Sequence, residues 1–220
     1  MTAVSNADKL FYPADGVTKG EFVEYVRALE YLANQAIIEF HVWLSTMDSL
    51  DRPDLLVLDL DPPEGTATAE VRDVARRARD LLGELGLTPF VQATGGRGFH
   101  VVTPLDTTTD FDTARELARA VADRLAENDP ERLTTAQRKD KRGDRIFLDT
   151  NRNAYGQTVI APYSLRARPG VHVATPPDWA ELGRTEPAAY DPRRLGRRLA
   201  RKADSWAHIH DHAASPSTAL

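Results

Sequence analysis

The sequence predicts a mixed α/β (α+β) protein in which helices pack on a sheet, and three observations carry that expectation. Short apolar runs at 55–60 and 145–149 end at aspartates, as strands do when they leave a core. Two longer stretches, 68–85 and 112–128, repeat apolar residues at helical spacing among Arg and Glu. Between them, Phe90-Val91-Gln92 and Phe99-His100-Val101-Val102 flank Thr94-Gly95-Gly96-Arg97-Gly98, the pattern of a hairpin.

Each element has a local cause. Thr18-Lys19-Gly20-Glu21 has capping-box spacing, and an apolar 3.6-residue pattern follows to about Ile38, a first helix. Leu55-Leu56-Val57-Leu58-Asp59-Leu60 reads as a buried strand closed by Asp61-Pro62-Pro63-Glu64-Gly65, because two prolines and a glycine cannot continue it. Gly86 stands where a left-handed cap would end the second helix. After the third helix, a strand is expected over 145–149 and another over 158–168, stopped by Pro169-Gly170. The expected organisation is one domain over 1–205: an N-terminal module to about residue 50, a core over about 51–190 and a helix over about 191–205. A flexible tail, 206–220, follows.

Composition narrows the chemistry. The 220 residues contain no cysteine, which removes disulfides, Cys-ligated zinc, iron–sulfur clusters and thiol nucleophiles together. No apolar run approaches the roughly 20 residues of a membrane helix, and the first ten residues lack a signal-peptide layout, so a cytoplasmic location without membrane partners is expected. The net charge is −5, from 28 Lys+Arg against 33 Asp+Glu. Two stretches, 132–145 and 193–202, are nevertheless locally basic. Each is read either as a solvated face or, with the other, as a phosphate-binding surface.

Asp59 and Asp61 stand two apart on a strand and share a face. Such a pair repels itself unless a divalent cation compensates it, although turn hydrogen bonds are the competing use of a strand-end aspartate. Asp149 is a third acid at a strand end, and three hard oxygen donors suit two Mg²⁺ or Mn²⁺ ions or, alternatively, simply begin a turn. Thr94, Gly95, Arg97 and His100 place a hydroxyl, open backbone, a guanidinium and an imidazole within seven residues, a set suited to a triphosphate and equally compatible with a plain hairpin turn. Arg166 and Arg168 share one face of the expected last strand, as phosphate ligands or as partners of surface acids. His41, after an apolar helix end, is read first as structural, and His208, His210 and His212 as part of a solvated tail.

The blocks Leu58-Asp59-Leu60-Asp61-Pro62-Pro63-Glu64-Gly65, Ala93-Thr94-Gly95-Gly96-Arg97-Gly98-Phe99-His100, Phe147-Leu148-Asp149 and Ala161-Pro162-Tyr163-Ser164-Leu165-Arg166-Ala167-Arg168-Pro169-Gly170 occur in one fixed order. Together they resemble the primase-polymerase domain of bacterial DNA ligase D, within the archaeo-eukaryotic primase superfamily, over about residues 7–190. The resemblance is to a shortened member. Near residues 28–32 the first helix runs almost directly into Tyr31-Leu32-Ala33-Asn34-Gln35-Ala36, where the family normally inserts several dozen residues that include aromatic groups for the template.

The resemblance implies a primase-like fold with a mostly antiparallel sheet related to the RNA-recognition fold. It implies template-directed addition of NTP or dNTP to DNA primer ends during non-homologous end joining and gap filling. By it, Asp59, Asp61 and Asp149 hold two Mn²⁺ or Mg²⁺ ions, Thr94, Gly95, Arg97, His100, Arg166 and Arg168 bind the triphosphate, and His41 lies near the sugar. Lys9 and Lys19 match residues that hold the 5′-phosphate of gapped or end-recessed DNA, and Arg142, Arg145 and Arg152 are candidates for DNA-backbone contacts. The setting it implies is the bacterial cytoplasm, at the nucleoid, with a DNA ligase and an end-binding protein as partners in trans. The alternative is a DNA-end or nucleotide-binding module of the same fold that has lost synthesis with the missing segment.

Overall fold

The computed structural model describes residues 7–8, 10–12 and 17–215, and the chain divides into two compact units, 1–39 and 40–220. The first unit has a small antiparallel pair, β1 (Leu10–Tyr12) and β2 (Val17–Thr18), followed by α1 (Lys19–Asn34). This helix ends before Ile38 because Ala36 takes a left-handed conformation (φ 57°), and the Ile37 N–H turns back to the Leu32 carbonyl at 3.0 Å. It runs unbroken through 28–32.

The second unit is organised by a five-stranded sheet in the order β5-β6-β4-β8-β7. Its strands are β4 (Leu55–Asp61), β5 (Phe90–Ala93), β6 (Phe99–Pro104), β7 (Leu133–Thr134) and β8 (Ile146–Asp149). Every neighbouring pair is antiparallel except β7–β8. A separate antiparallel pair joins β3 (His41–Trp43) to β9 (Thr158–Ile160), which places residues 40–50 with the second unit rather than with an N-terminal module. The expected strand over 158–168 therefore stops at Ile160: past Pro162 the chain reverses at Tyr163 (φ 64°) and returns on itself, with the Tyr163 N–H donating to Ala174 and the Arg166 N–H to His172.

Alternation along β4 builds the core. Leu56, Leu58 and Leu60 face α2 (Thr68–Glu84) and α3 (Phe111–Asn128), whose buried stripes are Val71, Val74, Ala75, Ala78 and Leu82 on the one and Ala114, Leu117, Ala118, Val121 and Leu125 on the other. Gly86 (φ 79°) ends α2 as expected, and the Asp110 carboxylate caps α3 by accepting the Thr113 N–H at 2.8 Å. The opposite face carries a second apolar cluster of Val57, Val102, Leu44, Val159, Trp206 and Ile209.

That cluster corrects the expected flexible tail. After α4 (Pro192–Leu199), Trp206 and Ile209 are buried, His212 packs against the Phe90 ring at 5.6 Å, and Ala214 bridges to Leu105. His208, His210 and His212 themselves are exposed. The periodicity is too short to announce a helix, so the tail reads as polar although two apolar side chains anchor it. Residues 216–220 lie outside the described residues. No helix among the described residues is long and apolar enough to cross a membrane.

Candidate active site

The same alternation that sends Leu56, Leu58 and Leu60 to the helices sends Val57, Asp59 and Asp61 to the other face. Register then selects what surrounds the acids. Asp59 stands directly opposite His100 on β6 and Asp149 on β8, and His100 stands opposite Gln92 on β5. Residues directly opposite on adjacent strands share a face, so Gln92, His100, Asp59 and Asp149 form one row across four strands, with Asp61 two residues further along β4.

Opposed carboxylates repel, and each here has a basic side chain at a loose distance. The His100 Nε2 lies 3.5 Å from the Asp59 carboxylate. Arg97 and Arg142 each approach Asp61 to 3.7 Å, and Arg152 approaches Asp149 to 4.0 Å. Burial pushes the Asp59 carboxyl up, but His100, Arg152 and Arg166 together outweigh it and hold the group below the ordinary carboxylate value. Asp149 serves both readings made from sequence: one oxygen accepts the Asn151 N–H at 2.8 Å to start a turn, and the other faces Arg152.

Among the described residues no three His, Asp or Glu side chains form a ready-made cation cage. Asp59, Asp61 and Asp149 line one face without closing into a cluster. Their chemistry still fits a hard divalent cation, because all three are carboxylates at or near the ends of paired strands and their basic side-chain partners stand at 3.5–4.0 Å, although Asp149 also accepts the Asn151 N–H.

The glycine loop is placed by close approach. A Cβ at Gly98 would come within 1.8 Å of the Leu60 carbonyl oxygen, so only glycine lets the hairpin cross the end of β4 beside Asp61. Gly95 has φ 69°, and a Cβ there would lie 2.7 Å from the Arg166 Cγ. The backbone is less open than the sequence suggests. The Gly95 N–H donates to the Pro187 carbonyl at 2.9 Å, the Gly96 N–H to the Thr94 hydroxyl at 3.2 Å, and the Thr94 N–H and hydroxyl both to the Gly98 carbonyl at 3.3 and 2.8 Å. Thr94 and Gly95 therefore shape the turn, and the groups left to face outward around it are guanidinium groups.

Those groups converge on the loop, though not as two residues on one strand face. The returning segment 161–175 carries Arg166 past Gly95, with Nη1 3.5 Å from the Thr94 carbonyl, and sets the Arg168 guanidinium 3.6 Å from where a Gly96 Cβ would stand. Arg97 is exposed at the bend itself. His100 is buried, and its Nδ1 has no hydrogen-bond partner, a cost the sheet bears to keep an imidazole against Asp59. His41 is exposed on β3 opposite Ile160, whose carbonyl accepts the Gln92 side-chain amide at 3.3 Å. The β3–β9 pair thus reaches the Gln92 end of the row.

Two of the expected DNA-backbone residues are engaged elsewhere. The Arg142 guanidinium stacks on the Phe147 ring at 3.5 Å and donates to the Ala136 and Gln137 carbonyls. Arg145 donates to the Arg142, Lys141 and Pro130 carbonyls. Both hold together the connection between β7 and β8, where the chain leaves the sheet and its carbonyls need the donors that guanidinium forks supply. Arg152 remains partly exposed beside Asp149. Lys9 lies outside the described residues, as does the Lys19 side chain; the Lys19 backbone begins α1.

Asn153 was not legible from the sequence. It is buried, and its amide replaces a missing strand: the carbonyl accepts the Val57 N–H at 2.8 Å, and the nitrogen donates to the Val57 and Thr150 carbonyls at 2.7 and 3.0 Å. β8 leaves the sheet after Asp149, and this one side chain takes over its pairing with β4. Asn153 thereby fixes the register that sets Asp149 opposite Asp59. An asparagine in a turn is ordinary, so nothing local distinguished it.

Comparison with known proteins identifies the family of the chain. Residues 10–206 match the family model described as LigD, primase-polymerase domain. The multifunctional non-homologous end joining DNA repair protein LigD of Mycobacterium tuberculosis is 38% identical over 175 residues, covering 76% of this chain and 23% of that protein. LigD of Pseudomonas aeruginosa is 35% identical over 188 residues, covering 84% of this chain and 22% of its own length. The chain therefore spans about a quarter of the length of these curated relatives. Among solved structures, the polymerase domain of Mycobacterium tuberculosis ligase D in complex with DNA aligns with a TM-score of 0.76 and 28% identity, covering 97% of this chain and 99% of that one. The α+β fold with its mostly antiparallel sheet is the fold of that domain. The chain belongs to the LigD primase-polymerase domain family, whose members are nucleotidyltransferases of DNA end-joining repair.

Proposed function

We propose that this chain transfers nucleotides from NTP or dNTP to the 3′ end of a DNA primer, template-directed, at gapped or recessed ends during non-homologous end joining. The observation that carries the reading is the row in which Asp59 faces both His100 and Asp149, with Asp61 beside it and three arginines converging on the adjoining loop. Asp59, Asp61 and Asp149 would hold divalent cations, Mn²⁺ or Mg²⁺, which when bound supply a more acidic primer hydroxyl and charge neutralisation of the leaving pyrophosphate. His100 holds the Asp59 carboxylate in place. Arg97, Arg166 and Arg168 bind the triphosphate, in forks that match phosphate oxygens, while Thr94 and Gly95 shape the bend that presents it. His41 borders the sugar, Lys9 and Lys19 bind a 5′-phosphate, and Arg152 meets the DNA backbone. A ligase and an end-binding protein act with it at the nucleoid. No nucleophile from the protein is required, in keeping with the absence of cysteine.

Primer extension on gapped DNA, with and without a 5′-phosphate and with Mn²⁺ or Mg²⁺, tests this directly. Wild-type chain should extend the primer, more efficiently with the 5′-phosphate present, and Asp59→Ala or Asp61→Ala should abolish extension while leaving thermal unfolding nearly unchanged. Extension that survives the double substitution rejects the assignment. Nucleotide and DNA binding with no extension by the wild type favours the binding-module alternative.

A further inference from the structure

We infer that the exposed face of α4 and the turn that follows it form a separate anchor for the sugar-phosphate backbone of duplex DNA, made by Arg193, Arg197 and Arg201. The inference rests on the proposed function and names a surface that reading leaves unused.

The sequence has two arginine-rich stretches, and the structure treats them differently. In 132–145 the arginines are spent internally, while Lys139 and Lys141 stay exposed: Arg132 bonds Asp129 at 2.5 Å and reaches Asp73 at 3.4 Å, Arg138 pairs with Asp140 at 2.8 Å, and Arg142 and Arg145 satisfy main-chain carbonyls. In α4 only one face is spent. Arg198 forks onto Glu181 at 2.7 and 2.9 Å, and Lys202 bonds Asp178 and Glu181, which fastens the helix to the rest of the unit. Asp191 caps the N-terminus by accepting the Arg193 and Arg194 N–H groups, and lies 3.6 Å from the Arg194 side chain.

Arg193, Arg197 and Arg201 remain exposed, and among the described residues none has a carboxylate within 4.0 Å. Arg193 and Arg197, four residues apart in α4, share one face at a rise of about 6 Å, and Arg201 follows in the turn just past the helix, its N–H still donating to the Arg198 carbonyl at 2.9 Å. Stability gives little reason for such a row, since like charges four apart each cost about 0.2–0.5 kcal/mol in a helix. The row is also held firmly and in a telling place. The Val173 N–H donates to the Tyr190 carbonyl at 2.8 Å, and the Tyr163 hydroxyl bonds Asp204, so both flanks of α4 are tied to the segment that carries Arg166 and Arg168. A rigid row of guanidinium forks beside a phosphate-handling segment, on a protein of net charge −5, suits phosphodiesters without regard to sequence.

The test is duplex binding by the full chain, read by fluorescence anisotropy without nucleotide or metal across a salt series. Arg193→Ala/Arg197→Ala/Arg201→Ala should weaken binding roughly 10- to 1,000-fold at low salt and reduce the slope of log K against log salt by about 2–3, one contact contributing about 0.9. A control that removes equal charge from the other stretch, Arg138→Ala/Lys139→Ala/Lys141→Ala, should leave the slope within about one unit. Nucleotide KM and the rate at saturating DNA should be unchanged in the α4 variant. Equal losses in variant and control would reduce the effect to net charge and overturn the inference, as would an unchanged salt slope; binding of the α4 variant at wild-type affinity would leave an acidic protein as the row's partner and overturn it too. Primer extension by a wild type whose α4 variant binds normally rejects this inference alone, whereas a wild type that binds no duplex rejects the proposed function with it.

Discussion

The two faces of the five-stranded sheet are made by the same strands and obey different physics. On one, Leu56, Leu58, Leu60, Phe99, Val101 and Leu148 are removed from water against α2 and α3, and any apolar side chain of the right volume serves. On the other, Gln92, His100, Asp59 and Asp149 must stand at the right partners, because charge and hydrogen bonding depend on direction and distance. The first face tolerates approximation and provides stability. The second carries the proposed chemistry, and its four strands bring together residues from distant parts of the chain.

That contrast can be broken most sharply at Asp59 and Leu60, adjacent residues on opposite faces. Asp59→Asn should lower primer extension by at least about 10³-fold, given the share of rate that charge positioned at a reacting centre supplies, with stability changed by less than about 1 kcal/mol. Leu60→Ala should cost about 2–5 kcal/mol by denaturant unfolding, while the folded fraction keeps the wild-type nucleotide KM. If both substitutions affect stability and activity in the same proportion, the division of labour between the faces is wrong.

Gly98→Ala probes the edge where the faces meet. The added methyl meets the Leu60 carbonyl, so the hairpin must lift from β4, and nucleotide KM should rise with kcat falling as Arg97 moves from Asp61. Circular dichroism of the core should be preserved.

Asn153→Ala tests whether a hydrogen-bonding side chain, rather than packing, sets the register of the polar face. Leaving the Val57 main chain unpaired in the interior should destabilise by about 1–3 kcal/mol. It should also raise the Mn²⁺ concentration for half-maximal binding, measured by titration of the free chain. A core variant of equal instability, such as Leu182→Ala, should leave that concentration unchanged.

The smallest effect is expected far from the row. Arg198 and Lys202 hold Glu181 down to about 2 from its ordinary 4.5. A carboxyl depressed on folding contributes stability that is full above about 4.5 and is lost as pH falls toward 2. The melting temperatures of wild type and Glu181→Gln should therefore differ at neutral pH and converge on acidification through that window. A constant difference would show that the cluster acts by shape alone.

Much of this molecule could be read from local pattern. The helices at 68–84 and 111–128, the hairpin around 94–98 and the strands bearing Asp59, Asp61 and Asp149 follow from spacing, because burial of one face imposes a period on the residues themselves. The segment after Ile160 misled, because alternation of apolar and basic residues through Arg168 imitates a strand while Pro162 and Tyr163 turn the chain back. The tail misled for the opposite reason: Trp206 and Ile209 are two apolar residues among polar ones, too few to show a period and enough to fill a cluster.

From its sequence alone, this protein determined its strands, its helices, the acids at its strand ends and the order of its motifs, since each depends on near neighbours along the chain. Tertiary structure decided which acids face each other, that Asn153 completes β4, that the N–H groups of Thr94, Gly95 and Gly96 are already taken, and which arginines are paired with acids. Those outcomes depend on pairing between segments far apart in sequence, where a hydrogen bond or ion pair is worth something only if both partners arrive in register.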